Sequence, residues 1–206
     1  MSERRLLHER RVVIVDNGGA NIASLQFALQ RLEVASAVSA DAAEIRAASH
    51  VILPGVGAAA DAMSRLRRNG LETVIPTLEQ PVLGICLGMQ LLYEASQEGD
   101  ARCLGIIPGR AARLAEAHDR PVPHMGWNTL EIRRPCPLLT GLADGDHVYF
   151  VHGFAVPMGD FTVATTEYGS PFTAVARRDN FCGTQFHPER SGVVGARILA
   201  NFLKAS

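Results

Sequence analysis

"PVLGICLGMQ", residues 81–90, holds the reading that decides the fold. Pro81 to Ile85 is a short apolar run, the pattern of a strand covered on both faces. From Leu87 the pattern turns helical, and a helix is expected over residues 87–96. The chain has to reverse direction between the two, with Cys86 on the reversal. Gly84-Ile-Cys86-Leu-Gly88 has the form of a nucleophile elbow with cysteine in the nucleophile's place. Such a turn forces the central residue into an unfavourable backbone conformation, and its flanks must be glycine because neighbouring backbone comes too close for a Cβ. The thiol is then presented at the carboxyl end of a central strand, where open α/β sheets place ligands. The helix start would favour thiolate over thiol and aim the Leu87 amide at a developing oxyanion. The competing reading is a buried cysteine packed between small residues, a common fate for a free thiol.

Upstream, strand and helix alternate. Residues 11–15 (RVVIV) form a first strand, followed by the turn cluster Asp16-Asn-Gly-Gly-Ala-Asn21. Ile22, Leu25, Leu29 and Leu32 have helical spacing. Further strands are expected at 34–38 and 51–53, with a helix over 58–68 that Gly70 ends. This alternation predicts a parallel sheet with helices on both faces. Past Cys103 glycine and proline are frequent, and β-type runs recur at 110–114, 128–132, 147–151, 161–166 and 173–177. They predict a mostly antiparallel extension of the same sheet, with a closing helix over 193–204. The expectation is therefore an α/β fold, a central mostly parallel sheet flanked by helices, in one domain over 11–206. Residues 1–10 read as a flexible, charged extension.

Composition narrows the function. The chain has 206 residues and a formal net charge of −1, which favours neither nucleic acid nor an anionic membrane as a partner. No apolar run approaches the roughly 18 residues a membrane helix needs. Cys86, Cys103, Cys136 and Cys182 are scattered without a Cys-x-x-Cys pair, which argues against a metal site and a disulfide framework. A reduced, cytoplasmic setting is the expectation. The arginine groups 65–68, 133–134 and 177–178 read as solvated surface.

A cysteine nucleophile needs a base. Of seven histidines, His124, His152 and His187 remain after those in the extension, at strand starts and in a polar loop are set aside. His187 ends the run Phe181 to Phe186, and Pro188 biases it toward extended backbone. Residues two apart in an extended chain share a face, so Glu189 can reach the His187 imidazole and fix its tautomer, the third-group role of a triad. His152 has no carboxylate nearby and suits a structural or substrate-lining role. Leu53-Pro-Gly-Val-Gly57 is a second glycine-rich turn after a strand. It is either a plain tight turn or the source of a further oxyanion amide. No phosphate-binding glycine motif is present.

"PGVGAAADAM", "GICLGMQLLYE", "PHMGWN", "YFVHGF" and "GTQFHPERSG" together resemble the class I (triad) glutamine amidotransferases, over about residues 11–204. "PGVG" and "PHMGWN" point to the glutaminase subunits of histidine biosynthesis. The resemblance implies that Cys86 attacks the glutamine side-chain amide, His187 moves the proton and Glu189 orients His187. It implies oxyanion amides from Leu87 and from the Gly55-Val56-Gly57 turn, and substrate contacts at Gln90, His152 and Gly153. It also implies a heterodimer with a (β/α)8 barrel synthase subunit that receives the ammonia, and no metal or organic cofactor. Asn21, Trp127 and Asn128 would lie toward that partner. Trp127, the only tryptophan, reads equally as a core aromatic or as an interface anchor. The family's usual Asp-Tyr-Gly-x-Gly-Asn is here Asp16-Asn-Gly-Gly-Ala-Asn21, and its usual Ser-Tyr after the "YFVH" histidine is Gly153-Phe154. Rival readings are a stand-alone Cys-His-Glu amidase or γ-glutamyl hydrolase, and a non-catalytic binding or scaffold protein with a decayed triad.

Overall fold

The computed structural model describes residues 10–18 and 22–205. Of the expected 1–10 extension only Arg10 is among them, and Ala20 and Asn21 lie outside the described residues. Strand β1 (Val12–Val15) leads through helix α1 (Ile22–Arg31) to β2 (Ser36–Ser39), and α2 (Ala42–Arg46) leads to β3 (His50–Gly55). Asp41 starts α2 by accepting the Ala43 and Glu44 amides at 2.8 and 2.9 Å. Helices α3 (Ala59–Arg68) and α4 (Leu71–Val74) precede β4 (Val82–Cys86) and α5 (Leu87–Leu91). Then follow β5 (Tyr93–Ser96), β6 (Ala101–Arg102), β7 (Ile107–Arg113), β8 (His124–Thr129) and β9 (Glu131–Ile132). The chain continues through β10 (His147–His152), β11 (Phe154–Ala155), β12 (Thr162–Tyr168), β13 (Ser170–Arg178) and β14 (Phe181–Thr184) to α6 (Gly192–Lys204).

The main sheet has the order β2-β1-β3-β4-β14-β13-β12-β9. Its first five strands are mutually parallel and the last three pair antiparallel. That is the expected mostly parallel sheet with an antiparallel extension. Alternation along β1 explains the two-sided core: Val13 and Val15 pack with Met63 and Leu66 of α3, Val12 and Ile14 with Leu25 of α1 and Ile198 of α6.

Two expectations change. The helix over 87–96 stops at Leu91, and Tyr93–Ser96 becomes β5, which pairs with β6 and β7. Helical periodicity in a short apolar run yields here to strand pairing with residues further along the chain. The β-runs of the second half do not all extend the main sheet. β7 joins β5, β6 and β11 in a four-stranded sheet, and β8 pairs with β10 alone. The expected 128–132 strand is split between β8 of this ribbon and β9 at the edge of the main sheet.

Candidate active site

Three strands of the main sheet end together. β3 ends at Gly55, its neighbour β4 at Cys86 with Gly55 opposite, and β14 leads through Gln185 and Phe186 to His187. Cys86 has φ 53° and ψ −111°, a conformation costing a side-chain-bearing residue on the order of 1–3 kcal/mol. Close packing over-determines it. A Cβ on Gly84 would lie 2.7 Å from the Gly88 carbonyl oxygen, and one on Gly88 would overlap the Leu53 carbonyl oxygen. The two flanking glycines therefore let α5 sit directly on β3 and β4, as the elbow motif requires.

His187 is fixed from every side. Its Nδ1 lies 2.8 Å from Glu189 Oε1, and the two side chains are only 8% and 5% exposed. Its backbone N–H donates to the Tyr149 carbonyl at 2.9 Å, and its carbonyl accepts the Ser191 hydroxyl at 2.7 Å. With Nδ1 taken by Glu189, the interaction with the Cys86 sulfur falls to Nε2, which is buried and makes no hydrogen bond of standard geometry among the described residues. Burial works against a charged ring, but the negative charge of a Cys86 thiolate and of the Glu189 carboxylate outweighs it and pushes His187 up to about 10. The ring therefore favours its protonated form at neutral pH. Cys86 Sγ lies 3.7 Å from the Val151 carbonyl and 3.8 Å from Gln185 Nε2.

Cys86 and His187 open on a cavity of about 400 Å³. Leu87, Val56, Gly57, Gln90, His152 and Gly153 line it too. As the first residue of α5, Leu87 has an amide with no partner inside its helix. Gly57 has φ +81° with open space where a Cβ would stand. Gly55 is set back, its Cβ position 2.9 Å from the Gly88 nitrogen and from Leu87 Cβ. Gln90 donates to the Phe154 carbonyl at 2.8 Å and to Gln185 Oε1 at 3.0 Å. Both its amide hydrogens are spent internally, so what it can offer a ligand is its amide oxygen.

Residues 13–205 match the family model described as glutamine amidotransferase class-I. The chain belongs to the class-I glutamine amidotransferases. It is 52% identical over 195 residues, 95% of this chain and 98% of the relative, to a Xanthomonas euvesicatoria pv. vesicatoria protein named imidazole glycerol phosphate synthase subunit HisH. A Xylella fastidiosa protein of the same name is 51% identical over 94% of this chain and 96% of its own length. Among solved structures, a glutamine amidotransferase from Thermotoga maritima superposes with TM-score 0.63 over 88% of this chain and 77% of its own at 20% identity, a likeness of fold.

In this amidotransferase the cavity also holds residues that the sequence did not flag. Glu98 lines it, accepting the Ala59 amide at 3.0 Å, and burial pushes its carboxyl group up. In the sequence Glu98 sits in the polar run Ser-Gln-Glu-Gly-Asp and carries no signal that would separate it from a surface loop. Arg190 lines the mouth, its guanidinium 4.2 Å above the Tyr149 ring. Trp127 is 56% exposed, so it is not a core aromatic, and it meets Tyr149 edge-on at 5.9 Å. Asn128, one residue on, faces the opposite side of β8 and bonds inward to the Glu167 carbonyl at 2.9 Å. Asn17, where the family's usual motif has tyrosine, is buried and donates to the Pro54 carbonyl at 2.9 Å. It thereby anchors the residue before the Gly55-Val56-Gly57 turn. Among the described residues, no helix is long and apolar enough to cross a membrane.

Proposed function

We propose that this chain is the cytoplasmic glutaminase subunit of an imidazole glycerol phosphate synthase, and that it runs a Cys86-His187-Glu189 triad. The observation that carries the reading is the His187–Glu189 pair, 2.8 Å apart and buried, set against the sulfur at the ends of neighbouring strands. With the Cys86 proton held on His187, the Cys86 thiolate attacks the side-chain carboxamide carbon of glutamine. The amide of Leu87 and the Val56–Gly57 turn stabilise the oxyanion. His187 gives its proton to the leaving nitrogen, ammonia departs, and a γ-glutamyl thioester remains. His187, now neutral, takes a proton from water, whose oxygen attacks the thioester and releases glutamate and the sulfur. Glu189 keeps the imidazole in one tautomer throughout. Glu98, an acceptor, and the Gln90 amide oxygen suit the α-ammonium group of glutamine, with Gly153 backbone beside it.

The relatives at 52% and 51% identity are named as subunits of a synthase. The acceptor is then a separate (β/α)8 barrel subunit in a heterodimer, and the ammonia passes through that barrel. Met125, 65% exposed, and Trp127 on the outer face of β8 supply an apolar docking surface. That surface favours the subunit reading over a stand-alone amidase, which needs no partner. The test is glutaminase turnover of the chain alone, then with the barrel synthase and its ribotide ligand. Weak turnover alone that rises strongly in the assembled pair is expected. Equal rates in both would favour the stand-alone amidase.

A further inference from the structure

The β8–β10 ribbon has two faces. His124 pairs in register with His152, Met125 with Val151, and Trp127 with Tyr149. Side chains alternate across it, so Met125 and Trp127 point out while His124, Asn128, Phe150 and His152 point in. The inward face carries an unbroken run of hydrogen bonds whose directions follow from the donors and acceptors alone.

The Phe154 carbonyl can only accept, so His152 Nδ1, 2.8 Å away, carries the proton. A neutral His152 then has a bare Nε2, and His124 Nδ1, 3.1 Å away, must donate to it. His124 Nε2 is bare in turn and accepts from Asn128 Nδ2 at 3.4 Å. The Asn128 amide cannot be flipped, because its Oδ1 accepts the Thr129 amide at 2.8 Å and its Nδ2 also donates to the Glu167 carbonyl. Burial holds both rings neutral, His124 down to about 4 and His152 to about 3. On the far side, the same Phe154 carbonyl takes the Gln90 amide, Gln90 donates to Gln185, and Gln185 reaches Cys86 Sγ. Every link is made and no buried polar atom of the run is orphaned. His124 is further clamped between Phe150 and Tyr168, with centroids at 4.8 and 4.1 Å.

We infer that Asn128, His124 and His152 are positioning residues that tie the outer face of the β8–β10 ribbon to the Gln90–Gln185–Cys86 cluster, so that a partner seated on Trp127 and Met125 sets the nucleophile's polar surroundings. The inference rests on the reading that this ribbon faces the synthase subunit. A shift of β8 moves His124 and Asn128 together, since they share its backbone. The Phe154 carbonyl must follow His152 or lose its bond, and Phe154 borders the cavity. None of the three residues touches the reacting atoms.

His124→Phe tests this, because a phenyl ring keeps both stacking contacts and deletes the hydrogen bonds. Glutaminase turnover is measured with and without the barrel synthase, together with the affinity of the two proteins for each other. His124→Phe should lower stimulated turnover by about tenfold, with unstimulated turnover within about twofold and the affinity for the synthase unchanged. His124→Asn, whose amide nitrogen stands in for Nδ1, should restore much of the stimulation. Full stimulation in His124→Phe, an equal loss with and without partner, or no rescue by Asn would each overturn the inference. A wild-type chain that the synthase does not stimulate would overturn the subunit reading and this inference together. Independently, nitrogen-15 imidazole spectra should show both His124 and His152 protonated at Nδ1 alone, the minority tautomer in free histidine. An Nε2 proton on either ring would break the run.

Discussion

The wall of the cavity that carries Cys86 and the ribbon that carries His152 hold their residues by different forces. Around Cys86 it is steric exclusion: β3, β4 and α5 approach so closely that only glycine fits at 84 and 88. Across the cavity it is a run of directed hydrogen bonds through His152, His124 and Asn128. Steric exclusion tolerates no change of shape but is indifferent to partners and pH. Hydrogen bonds tolerate a change of shape but depend on protonation and on where the ribbon sits. The partner-responsive glutaminase we propose would need both, a fixed Cys86 and an adjustable frame.

The largest expected effect isolates chemistry from the steric wall. Cys86→Ala should lower glutamine hydrolysis by about 10⁴-fold or more, with the thermal midpoint little changed. Retained hydrolysis would remove Cys86 from the mechanism. Next is the wall itself. Gly88→Ala places a methyl group on the Leu53 carbonyl oxygen and should cost at least about 3 kcal/mol of stability, read by denaturant unfolding. His124→Phe should cost less by the same measurement, about 1–2 kcal/mol, since the ring stack survives and only the acceptor at His152 Nε2 is left unpaired. Equal losses from the two would erase the distinction between the walls.

The same contrast explains what the sequence revealed. The elbow was legible because steric exclusion leaves a glycine signature, and strand alternation placed β1 to β4 and the closing helix within a few residues. His187 and Glu189 were legible because they are neighbours in an extended chain. The hydrogen-bonded wall was not. His124 and His152 are 28 positions apart and meet only because β8 pairs with β10, a register that no local pattern sets. The family resemblance places Asn128 toward the partner, but its bonds to the Glu167 carbonyl and to His124 follow from strand pairing that no local pattern sets. Glu98 was hidden for a related reason. The helix expected through residue 96 ends early, and the chain turns Glu98 back over the start of α3.

Acid and alkali should separate the two kinds of support. His124 and His152 have pKa values lowered by burial to about 4 and about 3, below the 6.5 of an unfolded histidine. The unfolded chain therefore binds more protons as pH falls below 6.5, and the stability these rings lend is lost between about 6.5 and 3. His50, lowered to about 4 chiefly by burial, adds to that loss from the far end of β3. His187 behaves oppositely. Burial opposes its charge, Cys86 and Glu189 overcome it, and the pKa rises to about 10, so its contribution is complete below 6.5 and lost as pH climbs through 10. Unfolding free energy against pH should fall at both ends. His124→Phe should flatten the acid side alone, and Glu189→Gln the alkaline side alone. An acid limb unmoved by His124→Phe would mean that the ring is already charged in the folded protein.

The smallest effect concerns the edge where the ribbon meets the substrate. Gly153 lines the cavity directly after His152, where the family's usual residue is serine. A Cβ there would have a single heavy atom within 4 Å, Val122 Cγ1 at 3.5 Å, an ordinary contact. The Gly153 carbonyl already accepts the Leu114 amide at 2.9 Å, so the backbone is held whatever the side chain. Gly153→Ser should therefore fold normally and place a hydroxyl at the cavity edge without moving the His152–Phe154 link. One added hydrogen bond to the glutamine α-groups contributes about 1 kcal/mol, or roughly a fivefold lower KM. That bond is made equally in the ground state and the transition state, because the α-groups lie away from the reacting carboxamide. kcat should then stay unchanged while kcat/KM rises. A KM that does not fall would place the α-groups elsewhere in the cavity. A kcat that falls with it would mean that the ribbon, not the glycine, had moved.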